Sequence, residues 1–261
     1  MKAKMFDKDG KEKGTVDLPK NFALKIREDI LSKVFEAHRG PHAQAYGAME
    51  GAGAQYSASG ISKKKRHDWK ATYGKGISRV PRKVMSRHGA SFNWIGATVS
   101  NTRGGRRPHA PRSAKILFGK INKKEVLLAF NSALAGTVDA KFLEKKYGKK
   151  VESGFVFEDK ILEVKTKDFI VVMKKVFGDA FATVLKHKSI RAGIGKMRGR
   201  KYKTNAGLLF VLGNEEKMNR KGVEVVSVND LTIKDLSPNG EPGRLVCYTE
   251  NAIKDIEARF K

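Results

Sequence analysis

Leu208-Leu209-Phe210-Val211-Leu212, Leu245-Val246-Cys247 and Phe155-Val156-Phe157 are short apolar runs in the C-terminal half of the chain. With Val223-Glu224-Val225-Val226 they read as strands. Between and after them lie helical patterns. One, over 166–177, has Phe169, Met173, Val176 and Phe177 on one stripe; the other, over 249–260, has Ile253, Ile256 and Phe260. Short apolar strands alternating with amphipathic helices are the signature of a mainly parallel sheet with helices on its faces, so an α/β fold is expected.

Working outward, the N-terminal part adds three elements. Lys4-Met5-Phe6 and Gly14-Thr15-Val16 flank Asp9-Gly10, the mark of a hairpin. After Pro19, Asn21 is placed to cap a helix carrying Phe22, Ile26, Ile30 and Val34 at four-residue spacing, which should stop at Gly40-Pro41. A further helix should start at Asn122. Glu125, three residues on, forms a capping-box pattern there, ahead of Val126, Leu127, Phe130 and Leu134.

Between residues 40 and 112 both periodicities are lost. The division expected is therefore a globular domain of residues 1–39 and 113–261, with 40–112 as an extended basic loop inserted in it. An irregular stretch of this length is uncommon inside a compact domain unless it is functional or disordered. It is rich in Gly, Ala, Ser, Lys and Arg, yet it also holds Trp69, Tyr73, Phe92 and Trp94, which a flexible linker lacks.

Charge singles out the same region. The 261 residues carry 54 Lys and Arg against 27 Asp and Glu, a formal net charge of +27. Residues 39–115 hold 16 of those cations against only Glu50 and Asp68, and residues 186–203 hold eight with no acid. The rest of the chain is nearly balanced. A near-neutral body with two cationic segments requires a polyanion as partner. Lys and Arg neutralise RNA phosphates with release of counterions, while aromatic and guanidinium planes stack on unpaired bases. Glycines would let backbone amides come close to phosphates. The RNA-binding residues expected are Lys63, Lys64, Lys65, Arg66, Trp69, Lys75, Arg79, Arg82, Lys83, Arg87, Trp94, Arg103, Arg106, Arg107 and Arg112 in the loop. From the second segment they are Arg191, Lys196, Arg198, Arg200 and Lys201.

Other chemistries find little support. Gly193-Ile194-Gly195-Lys196-Met197-Arg198-Gly199 has the wrong glycine spacing for a dinucleotide loop and no strand leading into it. The rival reading, a phosphate- or nucleotide-dependent enzyme acting on RNA, would use it as a cradle; a free regulatory RNA-binding module is a third. His38 and His42 stand four apart, but Gly40-Pro41 separates them, so no metal is expected and no cofactor of any kind. Cys247 is the only cysteine, in an apolar run, and should be a small core residue. No stretch reaches the length of a membrane span and no signal core follows Met1. A cytoplasmic protein with no membrane partner and no homo-oligomer is expected.

The sequence also resembles a known family, the large-subunit ribosomal protein number four, in its archaeal and eukaryotic branch. Three separated motifs carry the resemblance. They are Gly74-Lys75-Gly76-Ile77-Ser78-Arg79-Val80-Pro81-Arg82, Arg103-Gly104-Gly105-Arg106-Arg107-Pro108-His109-Ala110-Pro111 and Arg191-Ala192-Gly193-Ile194-Gly195-Lys196-Met197-Arg198-Gly199-Arg200. Gly243-Arg244-Leu245 and Thr249-Glu250-Asn251-Ala252 add to it. The resemblance implies a structural, non-enzymatic ribosomal protein with an α/β domain on the outer surface of the large subunit. It implies partners among the ribosomal RNA and neighbouring ribosomal proteins. It also implies a loop threading through that RNA, whose tip lines the nascent-peptide exit tunnel and meets the nascent peptide. Carried over by motif, the tunnel-proximal residues are Tyr73, Gly74, Lys75, Gly76, Ile77, Ser78 and Arg79. Eukaryotic members have a long C-terminal extension that has no counterpart after Phe260, so its contacts should be missing here.

Overall fold

The computed structural model describes residues 1–59, 73–74, 78–89, 91–149, 154–185, 188–203, 206–220 and 222–259. The chain opens with the hairpin β1 (Lys2–Phe6) and β2 (Glu12–Asp17), paired antiparallel across the Asp9-Gly10 turn, where Gly10 has a φ of 75°. A 3-10 turn, Lys20–Ala23, precedes helix α1 (Glu28–Arg39). Next come β3 (Ala58–Ser59), β4 (Arg82–His88) and β5 (Ser91–Gly96). Helices α2 (Lys123–Val138) and α3 (Ala140–Tyr147) lead to β6 (Phe155–Phe157), followed by α4 (Thr166–Phe177) and α5 (Phe181–Val184). The chain ends with β7 (Leu209–Leu212), β8 (Glu224–Ser227), α6 (Ile233–Leu236), β9 (Val246–Thr249) and α7 (Glu250–Arg259).

Six strands form one sheet in the order β2-β1-β6-β9-β7-β8, parallel throughout except for the β1–β2 hairpin. The alternation of side chains along its central strands divides the core in two. Val156, Leu209, Val211, Val246 and Tyr248 point to one face, where α1, α2, α6 and α7 bury Leu31, Leu134, Leu236 and Ile253. Phe155, Phe157, Phe210, Leu212 and Cys247 point to the other, against Phe169, Met173 and Phe177 of α4 and Val184 of α5. Both faces are covered, which is why these strands read as unbroken apolar runs. Cys247 is fully buried, and burial pushes its thiol well above the usual range.

Two expectations at helix starts are corrected. Phe22 does not open α1; it sits in the separate 3-10 turn, and its ring meets that of Tyr248 edge-on at 5.5 Å. That core contact outweighs the four-residue spacing that suggested one continuous helix, and Leu24 is extended. Helix α2 starts where expected, but the capping box does not close: Glu125 instead accepts from Lys33 at 3.0 and 3.1 Å.

The chain forms two compact units, residues 1–42 with 118–261, and residues 43–117. The first leaves and re-enters itself at one place. A Cβ on Gly40 would lie 3.0 Å from the Phe118 Cα and overlap the Phe118 side chain. In the second unit, 40–112 is not without regular structure, as its lost periodicity suggested. β4 and β5 pair as an antiparallel hairpin with a bulge between Val84 and Ser86, and β3 adds a third strand. β4 carries Arg82, Lys83 and Arg87 and buries little, so no period-two apolar signal marks it.

Candidate nucleic-acid interface

In the 43–117 unit the cations stand on a backbone that is braced from within. Arg82 donates from its guanidinium to the carbonyls of Ser78 (2.6 Å) and Val80 (3.1 Å) and to the Ser78 hydroxyl (3.2 Å), with its plane 5.4 Å from the Trp94 ring. Its first task is thus to hold residues 78–82 against the hairpin. Lys83 lies 4.0 Å above the ring of Tyr56, an aromatic that sequence reasoning passed over. Arg87 donates to the carbonyl of Gly89, whose φ of 54° makes the β4–β5 turn. Beyond β5, Ala97 to Arg106 forms a tight knot. Arg106 N–H donates to the Thr98 carbonyl at 2.9 Å, and the Thr102 hydroxyl to the Val99 carbonyl at 2.7 Å. Gly105 is packed so closely there that a Cβ would overlap the Val99 carbonyl. The knot leaves Arg103, Arg106 and Arg107 exposed.

The outgoing stretch around 47–53 runs beside the return at 105–113. Ala48 N–H donates to the Pro111 carbonyl at 3.0 Å. A Cβ on Gly53, whose φ is 75°, would sit 2.7 Å from the Arg106 Cα, and one on Gly47 2.9 Å from the Ser113 nitrogen. These two glycines therefore serve close approach of the chain to itself. At the expected tip, Tyr73 and Gly74 are exposed, Gly74 with a φ of 74°, as are Ser78 and Arg79. Lys63, Lys64, Lys65, Arg66, Trp69, Lys75, Gly76 and Ile77 lie outside the described residues.

The second cationic segment is a small loop closed at its base. Ile190 bridges Tyr202, Arg191 N–H donates to the Lys201 carbonyl and Lys203 N–H to the Ser189 carbonyl, both at 2.9 Å. A 3-10 turn, Ile194–Met197, occupies its tip, and Gly199 with a φ of 74° turns the chain back. Arg191 serves partly in this closure, donating to the Tyr202 carbonyl at 3.1 Å. Lys196, Arg198, Arg200 and Lys201 are exposed. Lys188 and Lys201 both lie within 6 Å of the Tyr202 ring centre (5.4 and 5.7 Å). Tyr202 and Lys188 were not among the expected residues, although an aromatic flanked by lysines within the acid-free run is a signal that could have found them. No described strand leads directly into the glycines of this loop, so the nucleotide-cradle reading finds no support in its geometry.

Electrostatics separates these segments from the body. Ion pairs such as Lys4–Glu12 (3.0 Å), Lys33–Glu125 (3.0 Å), Lys254–Glu250 (3.0 Å) and that of buried Arg244 with exposed Glu224 engage cations of the α/β unit. Arg79, Arg103, Arg106, Arg107, Arg112, Lys196, Arg198, Arg200 and Lys201 pair with no described carboxylate. The buried Arg220 of the body is also engaged by its own unit. One nitrogen of the Arg220 guanidinium donates to the carbonyls of Ile161, Leu162 and Val164, with the group 4.3 Å from the Phe169 ring centre.

The carboxyl ends of the central strands, where an α/β sheet commonly binds ligands, hold acids instead. Asn251 donates to Asp159 (2.8 Å) and Glu216 (3.0 Å); Glu216 also accepts from the Thr249 hydroxyl (2.6 Å) and Gly213 N–H (2.8 Å). Burial and the nearby Glu216 push the Asp159 carboxyl up to about 6. Burial works in the same direction on Glu216, but its hydrogen bonds outweigh it and hold that group below its ordinary value. Such an edge repels phosphate. Among the described residues no group of three or more His, Cys, Asp or Glu is placed to hold a metal ion.

The family model that matches is the ribosomal protein L4/L1 family, over residues 16–259. Among similar proteins, the large ribosomal subunit protein uL4 of Nanoarchaeum equitans is 33% identical, across 99% of this chain and 98% of that protein. The protein of the same name from Methanococcus maripaludis is 35% identical across the whole of both chains. That from Methanococcoides burtonii is 35% identical across 99% of this chain and 98% of its own length.

Proposed function

The chain belongs to the ribosomal protein L4/L1 family, and from that premise we propose how its two cationic segments serve the large ribosomal subunit. It is a structural, non-enzymatic constituent of that subunit, acts in translation in the cytoplasm, and has ribosomal RNA and ribosomal proteins as partners. The observation that carries the proposal is the contrast in charge pairing. Cations of the α/β unit such as Lys4, Lys33, Arg244 and Lys254 are answered by carboxylates, whereas Arg79, Arg103, Arg106, Arg107, Arg112, Lys196, Arg198, Arg200 and Lys201 are exposed and pair with no described carboxylate. Phosphates answer them. The mechanism is charge neutralisation with counterion release, joined by stacking on aromatic side chains, and it involves no bond-making step.

In this reading residues 40–112 extend into the RNA as an ordered loop, with Lys63 to Arg66 and Trp69 among its contacts, and 196–201 anchors the body independently. The tip, Tyr73 to Arg79, reaches the nascent-peptide tunnel, where the positive φ of Gly74 suits a reversal of the chain. The protein works there as one copy per subunit and without a membrane. Gradient sedimentation of native ribosomes is the test: the chain should travel with large subunits and remain through a moderate-salt wash. Deletion of residues 73–78 should leave that association intact and change crosslinking of stalled nascent chains. Release at low salt would sink the structural reading, and unchanged crosslinking would remove the tip from the tunnel.

A further inference from the structure

Within the 43–117 unit, Tyr46, Arg107, His109, Arg112, Ser113 and Lys115 surround a cavity of about 630 Å³, its wall completed by apolar residues including Pro111 and Leu117. We propose that this cavity receives a single unpaired nucleotide of the ribosomal RNA, its base against Tyr46 and its phosphate on Arg107, Arg112 and Lys115. The inference rests on the RNA-binding reading and deepens it by assigning a site and a ligand that neither composition nor family membership supplies.

Four observations carry it. The size falls within the range of pockets for small ligands, about 300–1,000 Å³, and so has room for one nucleotide but not for a duplex. The lining is of two kinds. Cations stand beside an exposed aromatic ring and apolar side chains, with no carboxylate, so an anion alone would leave the apolar part unused. The three cations have no described acidic partner, which leaves their charge for a phosphate. Lastly, the walls are fixed. The Ala48–Pro111 hydrogen bond and the contact of Gly47 with Ser113 hold the stretch bearing Tyr46 against the stretch bearing Arg107 to Lys115. A preformed slot costs its ligand little ordering of the protein. RNA-binding proteins take unpaired bases out of the stack onto aromatic planes, and Tyr46 offers such a plane, 65% exposed.

The test uses the full chain and a transcript of its large-subunit ribosomal RNA. Ultraviolet irradiation followed by mass spectrometry should join Tyr46 to one nucleotide position. Removing the base at that position should weaken binding to the wild-type chain about 5- to 150-fold, the range of a single base–aromatic stack. The Tyr46→Ala chain should bind more weakly by a similar factor, be indifferent to loss of that base, and keep the wild-type salt slope, because a stack releases no counterions. Tyr46→Phe should bind like wild type, which separates loss of the ring from any loss of folding. If Tyr46→Ala binds as tightly as wild type, or remains sensitive to the missing base, the cavity inference is overturned while the function stands. If the wild-type chain binds no ribosomal RNA, the function reading falls first.

Discussion

The Tyr248 phenol and the Thr137 hydroxyl lie 2.9 Å apart, a buried hydrogen bond from β9 to α2 through the middle of one core. Thr137 donates its own proton to the Leu134 carbonyl at 2.7 Å, so Tyr248 is the donor to Thr137. The two partners are thus unequal. Tyr248→Phe leaves Thr137 satisfied and should cost about 0.5–1.5 kcal/mol, whereas Thr137→Val strands a buried phenol and should cost about 1–3 kcal/mol. Urea unfolding of both variants and of the double variant checks the order. A Tyr248→Phe chain less stable than Thr137→Val would contradict the donor assignment.

The Asp159 carboxyl gives the fold a pH dependence of uncommon sign. Its value rises from an ordinary 3.8 to about 6, so the folded chain holds a proton there that the unfolded chain releases. This contribution to stability is complete below about pH 4 and is lost as the pH rises to about 6. Asp159→Asn should flatten the urea midpoint across that window. A slope unchanged by the substitution would assign it to other groups.

Lys196, Arg198, Arg200 and Lys201 are exposed on the 189–203 loop. Replacing all four by alanine should weaken binding of ribosomal RNA. The plot of log affinity against log salt should become shallower by roughly 0.7–0.9 for each phosphate that the loop no longer neutralises. An unchanged slope would remove this loop from the RNA interface.

Gly105 should be intolerant of any side chain. Its Cβ would overlap the Val99 carbonyl inside the 97–106 knot. Overpacking of this kind costs about 1–3 kcal/mol. In Gly105→Ala the Arg106 amide, bonded to Thr98, should therefore exchange its hydrogen about 5- to 150-fold faster. Exchange at the wild-type rate would mean that the knot relaxes without strain.

The sequence was most informative where burial leaves a periodic trace. β6, β7, β9 and α4 appear close to where their apolar patterns place them, because each is packed on a face that excludes polar residues. Phe22 misled for the opposite reason: its spacing fitted α1, but its contact with Tyr248 is tertiary and leaves no local mark. The β4–β5 hairpin was illegible because Arg82, Lys83 and Arg87 put charge where a strand normally shows alternation. Charge counting located the candidate interface as a region. It could not divide Arg82, tied to Ser78 and Val80, from Arg79, which is exposed. Nor could it see that Gly47 and Gly53 join two stretches more than fifty residues apart.

Gly40 and Phe118 close a ring in the covalent chain. Because the α/β unit parts and rejoins at a single point, what matters to its stability is that the ends of the intervening segment meet, not how long the segment is. Doubling such a segment adds only about 0.6 kcal/mol of closure entropy. The segment can therefore be lengthened or trimmed while the sheet and its helices keep their packing. The constraint falls on the hinge: a side chain at Gly40 has nowhere to go.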